Sequence, residues 1–440
     1  MTASTLNLLM ASAAICAWLV LVWVTFARTR RASPVSATAQ NSMAVVYASQ
    51  TGTAREIAAS TVQALGTDRA VMLSMDQISP QQLLNHECVL FVASTYGEGD
   101  PPDAAQAFYR KACEADAPRL DHLKTAVLAL GDSSYQNFCG FGQTLAHWLS
   151  RQGATLLFPT VLADQCDPAA LSAWSDALNQ EFQTVSTVEK QYSTWRLKNR
   201  QHTNPGSQGG ACYELDVEPA EGTQPAWQAG DITEVEITPY GVHREYSIAS
   251  IPAEGVLKLL LRQRKDDQGQ LGLGSRWLTQ ELSVGDMARM HIRANTLFHA
   301  PEQNCPAIFI GNGTGIAGLR SLLKQRLAQG HHENWLIFGE RQQAFDFPYQ
   351  DELQTWLAQE KLTRLDLAFS RDQTTKRYVH HILAEQAATF KAWLDRGAIV
   401  YLCGSKNGMA QDVDHALRRI LGTDGYEALM ARQAYRRDVY

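Results

Sequence analysis

Met43-Ala-Val-Val-Tyr-Ala-Ser49-Gln-Thr-Gly-Thr-Ala54 is an apolar run that passes directly into a loop of hydroxyls and one glycine, with a helical pattern following from Ala54. A buried strand, a tight loop and a helix in that order open a doubly wound α/β sheet. The loop offers backbone amides at a helix start, backed by the hydroxyls of Ser49, Thr51 and Thr53 with Gln50 between them, and this suits a phosphate dianion. It lacks the Gly-Lys-Ser/Thr ending of a nucleotide-hydrolysing loop. Ser49, Gln50, Thr51, Gly52, Thr53 and Ala54 are therefore expected to hold a phosphate monoester without transferring it.

Working outward, further buried strands are expected at CVLFVAS (88–94), TAVLALG (125–131) and ATLLFPT (154–160), with helices from Ala54 and Asp103 between them. Short apolar runs alternating with helices give a parallel sheet covered on both faces. Two more loops leave the carboxyl ends of these strands, where such sheets bind ligands. One is Ser94, Thr95, Tyr96, Gly97, running on to Glu98, Gly99 and Asp100; the other is Gly131, Asp132, Ser133, Ser134, Tyr135. Each carries one tyrosine. Tyr96 and Tyr135 are placed either to sandwich a flat ring or to serve as half-exposed loop aromatics.

Together SQTGTA, STYGEGDPP and LGDSSYQNFCGFG resemble the three flavin-contacting loops of the flavodoxin-like domain in diflavin reductases. The resemblance implies FMN, with its phosphate in the first loop and its isoalloxazine between Tyr96 and Tyr135. Asp164, in ADQCD, matches a fourth loop. The acidic residues Glu98, Asp100, Asp103, Asp132, Asp164 and Asp167 fall near the expected flavin edge. They form either a solvated surface or a docking rim for an acceptor with a basic patch.

Past about residue 185 the pattern changes to strands at 192–200, 211–217, 231–237 and 257–264 joined by Gly, Pro and Asn turns, as in an antiparallel barrel. Arg244-Glu-Tyr246-Ser247-Ile-Ala-Ser250 supplies an arginine for a pyrophosphate, a tyrosine to stack on a ring and a serine to bond a flavin nitrogen. Gly272, Leu273, Gly274 and Ser275 add amides at a helix start. REYSIAS and GLGSRWL look like the FAD site of the ferredoxin-NADP reductase family.

From about Pro301 strands of an α/β sheet return: AIFI, NWLIFGE, LTRLDLAFS and GAIVYLCGS. Gly311, Gly313, Thr314 and Gly315 let a backbone approach a dinucleotide. Ser370, Arg371, Lys376 and Tyr378 offer the basic, hydroxyl-bearing group that a ribose phosphate needs, favouring NADPH over NADH. SRDQTTKRYV, YLCGSKNGMAQDV and the terminal RRDVY resemble NADPH-sulfite reductase flavoprotein subunits. That resemblance puts Cys403 by the nicotinamide, has Asp438 and Ser247 position it and the proton, and stacks Tyr440 on the FAD ring, from which it must move aside.

The implied organisation is an anchor and tether (1–42), an α/β flavodoxin-like FMN domain (43–186), an antiparallel β-barrel FAD domain (187–300) and an α/β NADP-binding domain (301–440). The anchor rests on Leu6 to Phe26, 21 residues without a charge, followed by Arg28, Arg30 and Arg31. Such a stretch spans about 30 Å as a helix. The basic cluster after it points to a single-pass membrane protein with its catalytic domains on the cytoplasmic side. A secretory signal is the other reading, but a basic start is missing. A net charge of -6 and 19% charged residues give no basic footprint for nucleic acid. The eight cysteines show no CxxC pair and no metal-ligand spacing.

Two departures from the family stand out. The family has proline where this chain has Asn312 and Gly318, changes expected to loosen that loop. It also carries a large helical insertion that here shrinks to about a dozen residues between Asp231 and Arg244. The expected activity is a relay: hydride from NADPH is taken up on FAD and passed one electron at a time through FMN to a haem, sirohaem or iron acceptor. Alternatives are a membrane-associated reductase for a ferric siderophore or a membrane haem protein, and a non-catalytic flavin-binding redox sensor.

Overall fold

Parallel strands β1 (Met43–Ala48), β2 (Ala70–Ser74), β3 (Cys88–Ser94) and β4 (Lys124–Gly131), followed by the short β5 (Thr155–Leu156) and β6 (Val161–Asp164), build the first sheet in the order β2-β1-β3-β4, with β5 and β6 both on β4. These are the coordinates of a computed structural model, which describes residues 43–440 apart from 50, 51, 98, 115, 116, 134, 185–191, 221–225 and 267. Helices α1 (Thr53–Leu65), α2 (Gln106–Ala112), α3 (Gly140–Arg151) and α4 (Pro168–Phe182) cover it. Alternate side chains of the central strands face opposite ways. Val45, Leu90 and Leu128 pack with Ala58 and Trp174, while Val46, Phe91 and Val127 pack with Phe108 and Leu145. Both faces are dry, hence the continuous apolar runs.

The expected strand at 154–160 is corrected. Pairing stops at Leu156 and resumes at Val161, where Leu128 to Gly131 of β4 meet Val161 to Asp164. Pro159 stands in the gap; without an N–H it cannot extend a ladder. The second half of this edge is thus the segment that ends at Asp164.

The second sheet is antiparallel, in the order β10-β9-β12-β7-β8-β11. Its strands are β7 (Ser193–His202), β8 (Cys212–Pro219), β9 (Ile232–Ile237), β10 (Val242–Ser247), β11 (Leu257–Arg262) and β12 (Met287–Arg293), with the short helix α5 (Leu273–Arg276) before β12. An Ile248–Leu259 bridge draws its ends together into a near-closed barrel. Ile237 pairs with Val242, so the stretch where the resemblance leads one to expect a helical insertion is a hairpin that turns at Gly241, φ +63°.

The third sheet is parallel, β15-β14-β13-β16-β17. It comprises β13 (Ala307–Asn312), α6 (Ile316–Ala328), β14 (Asn334–Glu340), α7 (Gln350–Ala358), β15 (Arg364–Phe369), α8 (Val379–Glu385), α9 (Ala387–Asp395), β16 (Ile399–Gly404), α10 (Gln411–Ala431) and β17 (Tyr435–Val439). Four residues of the terminal RRDVY motif, Arg436 to Val439, therefore belong to an edge strand paired to β16.

The expected membrane placement does not stand. Among the described residues no helix is long and apolar enough to cross a membrane, and residues 6–26, on which the anchor reading rests, lie outside them. The single-pass, cytoplasm-facing assignment is withdrawn.

Candidate functional site

At the end of β1 the backbone turns through Gly52, φ +99°, whose amide donates to Ser49 Oγ at 2.8 Å. Thr53 and Ala54 begin α1; Gln50 and Thr51 lie outside the described residues. Beside this loop, Ser94 ends β3 and the Thr95 amide donates to the Leu130 carbonyl at 2.9 Å. The Thr95 Oγ1 atom is buried with no hydrogen-bond partner among the described residues. Buried hydroxyls are rarely left so, and this one fits a ligand group. Gly97 takes φ +59° in the turn where Tyr96 bridges to Asp100. Gly131, at the end of β4, leaves no room for a side chain, since a Cβ there would lie 2.6 Å from the Cys139 nitrogen.

Asp164 is brought into the same cluster. Its carboxylate accepts from the Ser133 amide at 2.9 Å and the Ser133 hydroxyl at 2.5 Å, holding in shape the loop that carries Asp132 and Tyr135. Tyr96 and Tyr135 come together over one cation: the Lys406 ammonium lies 5.2 Å from the Tyr96 ring centre and 4.3 Å from that of Tyr135. Both tyrosines thus face one small volume.

The acidic rim divides. Asp103 is engaged by Arg437, through Nε at 3.2 Å and a second, shorter contact. Asp167 caps α4, accepting from the Ala170 amide at 3.1 Å. Asp100 is exposed and Glu98 lies outside the described residues.

A second cleft, a cavity of about 890 Å³, opens between the barrel and the third sheet. It is lined by Arg244, Tyr246 and Ser247 from β10, by Gly272, Gly274 and Ser275 around α5, by Gly313 and Thr314 after β13, and by Ser370, Arg371 and Tyr378 after β15. A Cβ on Gly274 would lie 2.6 Å from Arg244 Cγ, so this glycine lets the α5 turn close over the arginine. Gly315 does not line the cleft; a Cβ there would strike the Cys403 carbonyl at 2.2 Å, and the residue serves close packing of the loop on β16. Lys376 is exposed and is not part of the lining.

Behind Ser247 lies a buried trio. The Ser247 hydroxyl donates to Asp438 Oδ2 at 2.6 Å, and the Cys403 thiol approaches the same oxygen at 3.6 Å. The trio comes from three strands: Ser247 ends β10, and Cys403 of β16 pairs with Asp438 of β17. Burial pushes the Asp438 carboxyl above its ordinary value of 3.8, although the Ser247 and Cys403 hydrogen bonds pull the other way. Burial, reinforced by the Asp438 charge, pushes the Cys403 thiol well up. The trio favours protons over charges. Tyr440 stands at the cleft's mouth, its hydroxyl sharing a hydrogen bond with Thr314 Oγ1 at 3.1 Å. Its backbone is held on both sides, by the Gly404 carbonyl and the Lys406 amide.

Asn312 and Gly318 do not loosen the loop. The Asn312 side chain accepts from the Ser405 amide at 3.0 Å, tying the end of β13 to the turn after β16. Gly318 sits against the trio, where a Cβ would lie 3.3 Å from Cys403 Sγ and 3.4 Å from Ser247 Cβ.

The loops of the first sheet adjoin the segment that closes the cavity. Lys406, whose amide holds Tyr440, is also the cation over Tyr96 and Tyr135. Arg437, three residues before Tyr440, lies 4.8 Å from the Tyr96 ring centre and reaches Asp103. Nothing in the sequence signalled Lys406 or Arg437 in these places, because each acts on residues hundreds of positions away.

Comparison with known proteins finds two matching family models. The Flavodoxin family model matches residues 45–174 and the Oxidoreductase NAD-binding domain model residues 309–415. Relatives described as sulfite reductase [NADPH] flavoprotein alpha-component include one from Thiocapsa roseopersicina, 30% identical over 88% of this chain and 85% of its own length. Another, from a Shewanella species, is 29% identical over 93% and 91%; a third, from Vibrio cholerae, is 28% identical over 93% and 89%. The Shewanella alignment runs to 556 residues, longer than this chain's 440. That relative therefore carries insertions that this chain lacks.

Proposed function

We propose that this chain, which belongs to the family of NADPH-sulfite reductase flavoprotein alpha-components, is a diflavin reductase that draws electrons from NADPH through FAD and FMN to a haem or sirohaem protein. Residues 43–186 are assigned to FMN, 187–300 to FAD and 301–440 to NADPH. When bound, NADPH supplies a hydride and the two flavins convert that two-electron donor into single electrons.

The chain's own residues do the rest. Ser49 to Ala54 hold the FMN phosphate, and Ser94 to Gly97, Gly131, Asp132, Tyr135 and Asp164 surround its ring. Arg244, Tyr246, Gly272, Gly274 and Ser275 grip FAD, while Gly313 and Thr314 with Ser370, Arg371 and Tyr378 take NADPH. Asp438, whose carboxyl burial makes harder to ionise, is the proton store behind Ser247, and Cys403 packs as a neutral thiol beside it. Tyr440 closes the cleft and must turn aside to admit a nicotinamide. An acceptor with a basic face is matched to the exposed Asp100.

The observation that carries this reading is the meeting at Lys406 of the two loop tyrosines, Tyr96 and Tyr135, with the segment that holds Tyr440 at the mouth of the cavity. The purified full chain should release one FMN and one FAD on extraction and should bleach NADPH in the presence of ferricyanide or cytochrome c. A single flavin per chain, or two flavins without NADPH consumption, would sink the proposal.

A further inference from the structure

The first loop offers hydroxyls and amides to a dianion, but no cation within itself. One arrives from the barrel. Arg293, the last residue of β12, is 1% exposed, and its Nη1 donates to the Thr53 hydroxyl. The same guanidinium forks onto Glu245, at 2.5 and 2.8 Å, while Nε is buried with no partner among the described residues. The loop is pressed against this strand end: a Cβ on Gly52 would lie 2.7 Å from the Ala294 carbonyl oxygen. Glu56, in the first turn of α1, would oppose an anion at that helix end, and His291 of β12 lies 3.2 Å from its carboxylate.

A buried arginine with one half-exposed carboxylate, one neutral hydroxyl and an idle N–H lacks an acceptor. Although burial works against its charge, Glu245 and the carboxylates behind it hold the guanidinium protonated. We propose that Arg293 is a ligand of the FMN phosphate, so that the FMN site is completed by the barrel. This rests on the FMN assignment above. Arg55, next in the loop's own helix, is the competing cation and is only half-buried.

The test is to titrate FMN, and in parallel riboflavin, into the deflavinated full chain. Arg293→Gln should weaken FMN about 30-fold and leave riboflavin within about twofold, with FAD content marking the fold as intact. Glu245→Gln, which frees the guanidinium, should bind FMN at least as tightly as the parent. If Arg293→Gln does not retain FAD, Arg293→Lys decides, with about a fivefold loss expected for FMN alone. Equal weakening of FMN and riboflavin, no weakening of either, or a phosphate-specific loss in Arg55→Gln alone would overturn the assignment. A parent chain that takes up no FMN would instead overturn the FMN reading itself.

Discussion

Asp438 is a carboxyl that folding makes harder to ionise. The folded chain therefore holds that proton more tightly than the unfolded one, and between pH 3.8 and the raised value stability falls as pH rises. Asp438→Asn keeps an acceptor for Ser247 and removes the titration. The variant's stability relative to the parent should climb across that window and level off above it, as read by denaturant unfolding at a series of pH values, while NADPH-dependent flavin reduction slows. No rise would mean that Asp438 is ionised at little cost.

Gly318→Ala separates packing from chemistry in the same place. Alanine is favoured over glycine inside a helix by about 1 kcal/mol, but its Cβ would lie 3.3 Å from Cys403 Sγ. Melting should shift little, whereas hydride uptake from NADPH should drop several-fold in stopped-flow traces. Residue-level legibility divides along similar lines. SQTGTA and REYS announced themselves because their chemistry is local. Asn312 was misjudged because its value lies in an amide at Ser405, which only the fold brings near.

At the level of elements, β17 is the piece whose importance was hidden. Five residues pair with β16, supply Asp438 to the trio, and send Arg437 to both Asp103 and Asp414. Arg437 is nearly fully buried, while both carboxylates keep some exposure. Losing the arginine should therefore cost about 3–5 kcal/mol. Asp103→Asn, which leaves Asp414 in place, should cost about 2 kcal/mol. Both should slow the reduction of FMN by NADPH, Arg437→Gln more, and added salt should erase part of the difference. Equal rates in both variants would mean that the pair does not hold the flavodoxin-like part. Elements were legible where apolar runs were long; β12, MARMHIR, alternates with charge and passed unnoticed, and Pro159 split an edge that had looked continuous.

For the molecule as a whole, residues 43–440 form a single compact unit, and both clefts belong to it. Electron passage from NADPH to FMN should then be independent of protein concentration, measured as the rate of FMN bleaching over a hundredfold dilution. A rate that scales with concentration would show that electrons cross between chains. The three-sheet plan was readable from the order of strands and helices, since each sheet is local in sequence. How the sheets meet was not, because the joining contacts are single side chains.

The β9–β10 hairpin has one more implication. Its tip glycine, Gly241, has nothing within 4 Å of where a side chain would project, while the neighbouring Tyr240 moors the turn to Glu281. Such a moored tip facing open space is a natural splice port. A fluorescent reporter inserted there would ride on the barrel without repacking it, and its colour could track the redox state of the flavins in real time.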